Sequence, residues 1–212
     1  RLDLTDSSSV REAADAALEK SDGRVYGLFN NAGFGQPGAV EDISRQALRE
    51  QFETNLFGTH ELTCRIIPAM RARGEGRIIQ NSSILGLVAM PVRGAYNASK
   101  FALEGLSDTL RQELTGSGIY VSIIEPGPVT SHFRANALAA FRRHVDPRAS
   151  AHRETYAALQ ARLEKKGPAA PFTVPPEAVL KKVIHALEAR RPRVRYPVTV
   201  PAHAFSWLRR LL

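Results

Sequence analysis

The sequence predicts an α/β fold built on a doubly wound parallel sheet, and three observations carry that expectation. Short apolar runs at Val25–Phe29, around Ile78-Ile79 and at Val121–Ile124 have the character of strands buried on both faces. Longer stretches with helical spacing separate them. Small or polar residues follow each run directly: Asn30-Asn31-Ala32-Gly33, Ser82-Ser83 and Pro126-Gly127. In such sheets ligands gather beyond the carboxyl ends of the strands.

Taken in order, Leu2–Leu4 reads as the end of a strand. Ser9-Val10-Arg11-Glu12 matches a capping box that opens a helix ending near Gly23. The Val25–Phe29 strand feeds a loop whose small residues let a backbone approach a flat ligand closely. From Ser44 to Arg73 the pattern is helical, broken near Gly58, with Asn55 inside it where an amide is a poor helix former. Gly76–Ser82 is the next strand. A helix then carries Tyr96 and runs to about Thr115, and Val121–Ile124 leads into Glu125-Pro126-Gly127-Pro128. Residues 128–175 change character, with helices expected at Ala135–Phe141 and Tyr156–Glu164, and read as a mobile substrate-side flap. Pro176–Ala189 is a last amphipathic helix and Arg193–Tyr196 a last short strand. The whole, residues 1–212, is expected to form a single domain.

Composition narrows the function classes. The 212 residues are 43% apolar, enough for one core, and no run approaches the roughly 18 apolar residues of a membrane span. Cys64, the single cysteine, cannot form an internal disulfide, which suits a reducing, cytoplasmic setting; it is expected to pack in the core. Six histidines lack metal-site spacing, so no metal is expected. Residues 1–140 carry 14 basic and 16 acidic side chains, and residues 141–212 carry 15 and 5. No interleaved aromatics mark a nucleic-acid surface. The basic segment reads as a solvated helical tail, with peripheral membrane contact through it and Trp207–Leu212 as the alternative.

Tyr96 and Lys100 lie four residues apart at the start of a helix, hence on one face. A phenol beside a fixed positive charge is a candidate proton donor and acceptor. Alone the pair is weak, since the spacing occurs by chance on many solvated faces. The surrounding residues strengthen it. Asn30-Asn31-Ala32-Gly33 resembles the NNAG motif of the short-chain dehydrogenase/reductase family. Ser83 and Tyr96-Asn97-Ala98-Ser99-Lys100 are similar to its catalytic serine and YxxxK. Asn55 falls where that family has its fourth catalytic residue, and Pro126-Gly127 is similar to its PG motif. Asp3, in Leu2-Asp3-Leu4, is similar to its adenine-contacting aspartate. These matches run in order through residues 1–130.

The resemblance implies a Rossmann-like fold and hydride transfer between nicotinamide and a carbonyl or alcohol. It implies Tyr96 as acid/base, with Lys100 and the oxidised nicotinamide ring lowering its pKa. Ser83 would hold the substrate oxygen and Asn55 a relay water. Cofactor contacts would come from Asp3, Leu4, Asn31, Ala32, Gly33, Tyr96, Lys100, Pro126, Gly127 and Thr130, whereas Asn30 serves to bond neighbouring strands. NADP(H) is favoured over NAD(H), and a homo-oligomer is expected for the complete protein. The runs Ile124–Pro128 and Arg195–Val198 resemble members that reduce aldehydes, retinoids or steroids. Phe133, Leu138 and Phe141 would face such a lipophilic substrate.

The sequence also departs from the family. It opens at what would be the third strand, so the first strand, Gly-rich turn, helix and second strand are expected to be missing. Val25–Phe29 should then be an exposed edge, and this chain should bind dinucleotide weakly or not at all. The C-terminus, without a helix stop, reads as cut. Two other readings compete: a family epimerase or dehydratase, which the intact Ser83/Tyr96/Lys100 set disfavours, and a non-catalytic scaffold of the same fold.

Overall fold

Four strands pair side by side, all parallel, in the order β1 (Gly27–Asn30), β2 (Gly76–Asn81), β3 (Ile119–Glu125) and β4 (Arg195–Pro197). The computed structural model describes residues 1–168 and 170–208. Register sets which side chains share a face: Leu28, Ile78 and Val121 line up across the sheet, as do Asn30, Gln80, Ile123 and Arg195. Side chains alternate along each strand, so Ile78 and Val121 meet one helical layer and Ile79 and Ile124 the other. The first layer is α1 (Ser7–Lys20), α3 (Gly58–Arg73) and the end of α4 (Gly94–Glu113), packed through Val10, Ala14, Leu62, Ile66, Met70 and Leu114. The second is α7 (Glu177–Glu188), whose Val183 and Ala186 cover Ile79, Ile124 and Tyr196. Helices on both faces make the sheet doubly wound and leave its carboxyl edge open.

Several elements begin or end elsewhere than the sequence suggests. Leu2–Leu4 is not a strand. Its backbone turns instead: Asp3 N–H donates to Ser9 Oγ at 2.9 Å, and Asp3 O accepts from Asp6 N at 3.3 Å. Ser9 is thereby used outside the helix, and Asp6 is the N-cap instead, its carboxylate accepting from Ser8 N at 2.9 Å. β1 lies at the sheet edge, with Tyr26 and Phe29 each 37% exposed, as the edge expectation required.

The break near Gly58 is a π turn, Glu53–Phe57, between α2 (Arg45–Phe52) and α3. The extra residue shifts the helical phase and buries Asn55, which is 1% exposed. Leu4 O lies against Gly58, where an added Cβ would stand 2.0 Å away. The N-terminal segment is thus pressed onto α3 at a point only glycine permits.

Residues 128–175 form α5 (Phe133–His144) and α6 (Arg153–Glu164), which build a third apolar cluster. Phe141 and Tyr156 are fully buried there, edge to face at 5.2 Å, against Ala39 and Val92. Tyr156 O–H donates to Asp42 and accepts from Ala39 N, at 2.9 Å for the latter. Phe141 and the half-buried Leu138 are therefore core, not substrate-facing, because the outer helix α6 covers them. Cys64 is also relocated: it is exposed on α3, its sulfur 3.6 Å from His60 Nε2 one turn earlier. The C-terminal amphipathic pattern lies partly outside the described residues; up to Leu208 it is α8 (Val200–Leu208), with Trp207 exposed. Among the described residues no helix is long and apolar enough to cross a membrane.

Gly58→Ala tests the clamp on the N-terminal segment. Alanine is the better helix former, yet overpacking against Leu4 should destabilise the protein by about 1–3 kcal/mol. A thermal unfolding curve with Tm unchanged or raised would contradict this.

Candidate active site

The carboxyl ends of β1, β2 and β3 each hand the chain to a loop: the first is tied to α4 through Asn55, the second lies on α4, and the third is joined to the second. After β2, Ser83 caps a short 3-10 turn, Ile84–Gly86, its Oγ accepting from Leu85 N at 3.1 Å. That turn lies directly on α4. A Cβ on Gly86 would stand 3.2 Å from Lys100 O, 3.0 Å from Glu104 Cγ and 2.8 Å from Ser82 Oγ. The missing side chain lets the Ser83 turn seat directly against the helix that carries Tyr96.

Tyr96 and Lys100, one turn apart on α4, are 7% and 5% exposed. Lys100 Nζ donates to Asn81 O at the end of β2 at 2.7 Å and lies 5.8 Å from the Tyr96 ring centre. Burial disfavours both charged forms. It pushes the Tyr96 phenol up to about 12, with Ser83 pulling the other way. It pushes the Lys100 ammonium down to about 8, against the field of Glu104. Burial sets the phenol in this structure, whereas the lowering that the resemblance implies belongs to the state with an oxidised nicotinamide ring beside it; the ammonium is turned to the Asn81 carbonyl. Tyr96 thus holds its proton throughout the neutral range.

The loop after β1 is held by two amides one turn apart on the α2–π segment. Asn55 accepts from Phe34 N at 3.1 Å and donates to Phe34 O at 3.0 Å and to Ser99 Oγ at 3.1 Å. Gln51 accepts from Gln36 N at 2.7 Å and donates to Phe34 O at 2.8 Å. Asn55 therefore clamps the loop to α4; Gln51 does equal work, and its helix spacing to Asn55 is the signal sequence reasoning passed over. Asn30 donates to Thr63 on α3 at 2.8 Å, a helix rather than a neighbouring strand. Asn31 Oδ1 accepts from Asn81 Nδ2 at 2.8 Å, linking β1's loop to the residue that receives Lys100.

A cofactor can be tested against this geometry. A Cβ on Gly33 would lie 3.1 Å from Asn55 Oδ1 and 3.8 Å from Lys100 Nζ, a space kept open by the lack of a side chain. Beside it an open depression of about 310 Å³ is lined by Arg1, Leu2, Asp3, Leu4, Ala32 and Thr54. Asp3 stands at its rim, its carboxyl held below the usual range by the N–H and hydroxyl of Thr5, at 2.9 and 2.8 Å. Asp3, Leu4 and Ala32 line the depression, and Gly33 keeps open the space between Asn55 and Lys100. After β3, Pro126 O accepts from Ile84 N at 2.9 Å, joining that loop to the Ser83 turn. Gly127 rests on Thr199, and Thr130 is exposed, its N–H donating to Val174 O at 2.9 Å. The described contacts therefore do not bring Thr130 to Tyr96.

Phe133, at the start of α5, stands edge-on to Tyr96 at 5.3 Å and fills the space over Gly35. Of the three apolar residues assigned to the substrate, it alone faces the site. Val92 holds a left-handed φ of 54° just before α4, unusual for a β-branched residue. Gly38 N donates to its carbonyl at 3.0 Å, and its side chain packs in the α5–α6 cluster, which hold the strained conformation.

The chain is similar to proteins already described. A family model for short chain dehydrogenase matches residues 1–140. The oxidoreductase YbbO of Escherichia coli is 46% identical over 211 residues, covering 100% of this chain and 72% of that protein. Human retinol dehydrogenase 8 is 38% identical over 66% of this chain and 43% of its own length. Human 17-beta-hydroxysteroid dehydrogenase type 1 is 34% identical over 94% of this chain and 59% of its own. A short chain dehydrogenase/reductase from Burkholderia phymatum in complex with NAD superposes with a TM-score of 0.76, at 27% identity, over 100% of this chain and 73% of that one. A Burkholderia cenocepacia short chain dehydrogenase in complex with NADP shares the fold, with a TM-score of 0.71 at 22% identity, over 98% and 71%.

Gly86→Ala should lower turnover about tenfold or more by displacing Ser83 from Tyr96, a misplacement of the kind that costs rate without contact to substrate. Gly105→Ala, on the same helix with nothing within 4 Å of the added Cβ, should leave turnover intact. Equal activity of both variants would refute the packing argument.

Proposed function

This chain belongs to the short-chain dehydrogenase/reductase family of NAD(P)-dependent oxidoreductases, and on that footing we propose that it reduces a lipophilic carbonyl compound, with Tyr96 as general acid. The observation that carries the reading is the buried Tyr96, one turn from the buried Lys100, its phenol pushed up by burial so that it keeps its proton in the neutral range. Ser83 and Tyr96 then offer two hydroxyls to one substrate oxygen, which orients the carbonyl and donates a proton as negative charge develops there. Lys100 places a positive charge below the phenol, easing proton loss in the transition state. Asn55 keeps the Phe34 loop against α4. Nicotinamide dinucleotide, when bound, supplies the hydride.

Asp3, Leu4, Asn31, Ala32 and Gly33 are the residues that would hold the dinucleotide along the edge of the sheet, with Lys100 at its ribose and Pro126-Gly127 beside the ring; Thr130 would take part from the exposed loop. NADP(H) is favoured by resemblance to carbonyl-reducing members. The apolar Phe133 beside Tyr96 supports a lipophilic substrate, and residues 128–175 serve as its substrate-side cover. A homo-oligomer is part of the same proposal, supported by the exposed apolar side chains Phe101 and Leu106 on α4, 42% and 45% exposed.

In the full-length protein, Tyr96→Phe is expected to lower NADPH-dependent reduction of an aromatic or long-chain aldehyde by about 10²–10⁴-fold, with an unchanged circular dichroism spectrum. Near-full turnover in that variant, or faster turnover with NADH than NADPH in the parent, would overturn the catalytic or the cofactor assignment respectively. Light scattering on eluting protein should give at least twice the chain mass, and Leu106→Glu should lower it; a monomeric parent would refute the oligomer.

A further inference from the structure

Arg195 is the meeting point of three carboxylates. Its Nη1 donates to Glu104 Oε2 and, at 2.7 Å, to Glu125 Oε1, while Nη2 donates to Asp108 Oδ2 at 2.6 Å. Three elements converge there: β4 supplies the arginine, β3 Glu125, and α4 both Glu104 and Asp108. Strand register explains the convergence. Arg195 lies opposite Ile123, and Glu125, two residues on, points to the same face, which α4 covers.

On α4, Glu104 stands one turn beyond Lys100, as Lys100 stands one turn beyond Tyr96. The three side chains form one stripe. Glu104 is 2% exposed, and its Oε1 is buried with no hydrogen-bond partner among the described residues. The same side chain underlies Gly86, so it also supports the turn that carries Ser83. The other charged groups along this face of α4 are Asp108, two turns from Lys100, Arg111, paired with Asp108 at 3.7 Å, Glu125 from β3 and Arg195 from β4. Asn81 from β2 and Asn55 from the π turn contribute uncharged dipoles. Glu104 is the carboxylate whose field reaches Lys100, opposing the effect of burial.

We propose that Glu104 is a positioning residue for the Tyr96–Lys100 pair: fixed from β4 by Arg195, its buried carboxylate, one helical turn beyond Lys100, supplies the negative charge that keeps the Lys100 ammonium charged. The proposal rests on the reading of Tyr96 and Lys100 above and adds a residue that touches neither substrate nor cofactor. The sign follows from the two titrations. Reduction needs protonated Tyr96 and cationic Lys100, and Lys100, near 8, loses its proton before Tyr96, near 12. The alkaline limb of the reduction rate is then set by Lys100, and removal of the Glu104 charge moves that limb to lower pH.

The test compares Glu104→Gln with Asp108→Asn. Both delete one arm of the Arg195 cluster, but Asp108 is two turns from Lys100. Glu104→Gln should shift the alkaline limb of kcat/KM downward by about one pH unit, and Glu104→Asp should restore part of the shift. Asp108→Asn should leave the limb in place. NMR titration of protein labelled with ¹³Cε-lysine, with the Lys100 signal identified by its loss in Lys100→Arg, reads the same shift without turnover. A fall in Tm for both carboxylate variants with no movement of the Lys100 titration would overturn the proposal. So would equal movement in both variants. Because the titration does not depend on activity, a parent protein inactive on carbonyls would count against the functional reading alone.

Discussion

The burial of Lys100 is the constraint around which the site is organised. An ammonium removed from water needs partners, and at a value near 8 its charged form is disfavoured by about 3 kcal/mol relative to solution. The protein meets this with a strand-end carbonyl at 2.7 Å and a buried carboxylate one helical turn away. That carboxylate is itself unfavourable unless paired, which is why Arg195 reaches across from β4. The requirement for one lysine beside one tyrosine thus propagates to β2, β3, β4 and α4.

The same packing explains why Tyr96 is a proton donor at rest. Its neighbours on α4 and in the Ser83 turn exclude water, and exclusion of water favours the neutral phenol. The backbone on either side is over-determined. Asn55 and Gln51 hold the Phe34 loop, Gly86 admits the Ser83 turn, and the α5–α6 cluster holds Val92 in its left-handed conformation at the mouth of α4. Residues 128–175, expected as a substrate-side flap, carry two fully buried aromatic rings, Phe141 and Tyr156, in a cluster shared with Ala39, Ile43 and Val92. Each such ring contributes about 1.5–3 kcal/mol, so the cover over the site is anchored by apolar packing and by Tyr156 to the loop at Ala39 and Asp42.

Much of the fold was legible because it rests on periodicity. Buried parallel strands read as apolar runs, and the helices of the first layer showed their 3.6-residue spacing. The errors fell where a residue's partner is distant in the chain. Leu2–Leu4 has strand composition but no strand beside it. Ser9 matched a capping box, yet Asp6 caps the helix because Ser9 is taken up by Asp3. Phe141 and Leu138 looked ready for a ligand until α6 covered them, and Cys64 looked like core although its helix turns it outward.

By itself the sequence determined the α/β class, the strand-and-loop order, the meeting of Asn30, Ser83 and Pro126-Gly127 at one sheet edge and the sharing of one helix face by Tyr96 and Lys100, since helix spacing and strand ends are local properties; Asn55 was placed with them only by the family resemblance. It also held a clue to the charged cluster: Glu125 at the end of an apolar strand, a position where a carboxylate needs a partner. Only the tertiary structure identified that partner as Arg195, 70 residues on, and only it decided the protonation of the pair. Desolvation depends on everything that packs around a group, and no spacing along the chain encodes how much water is left.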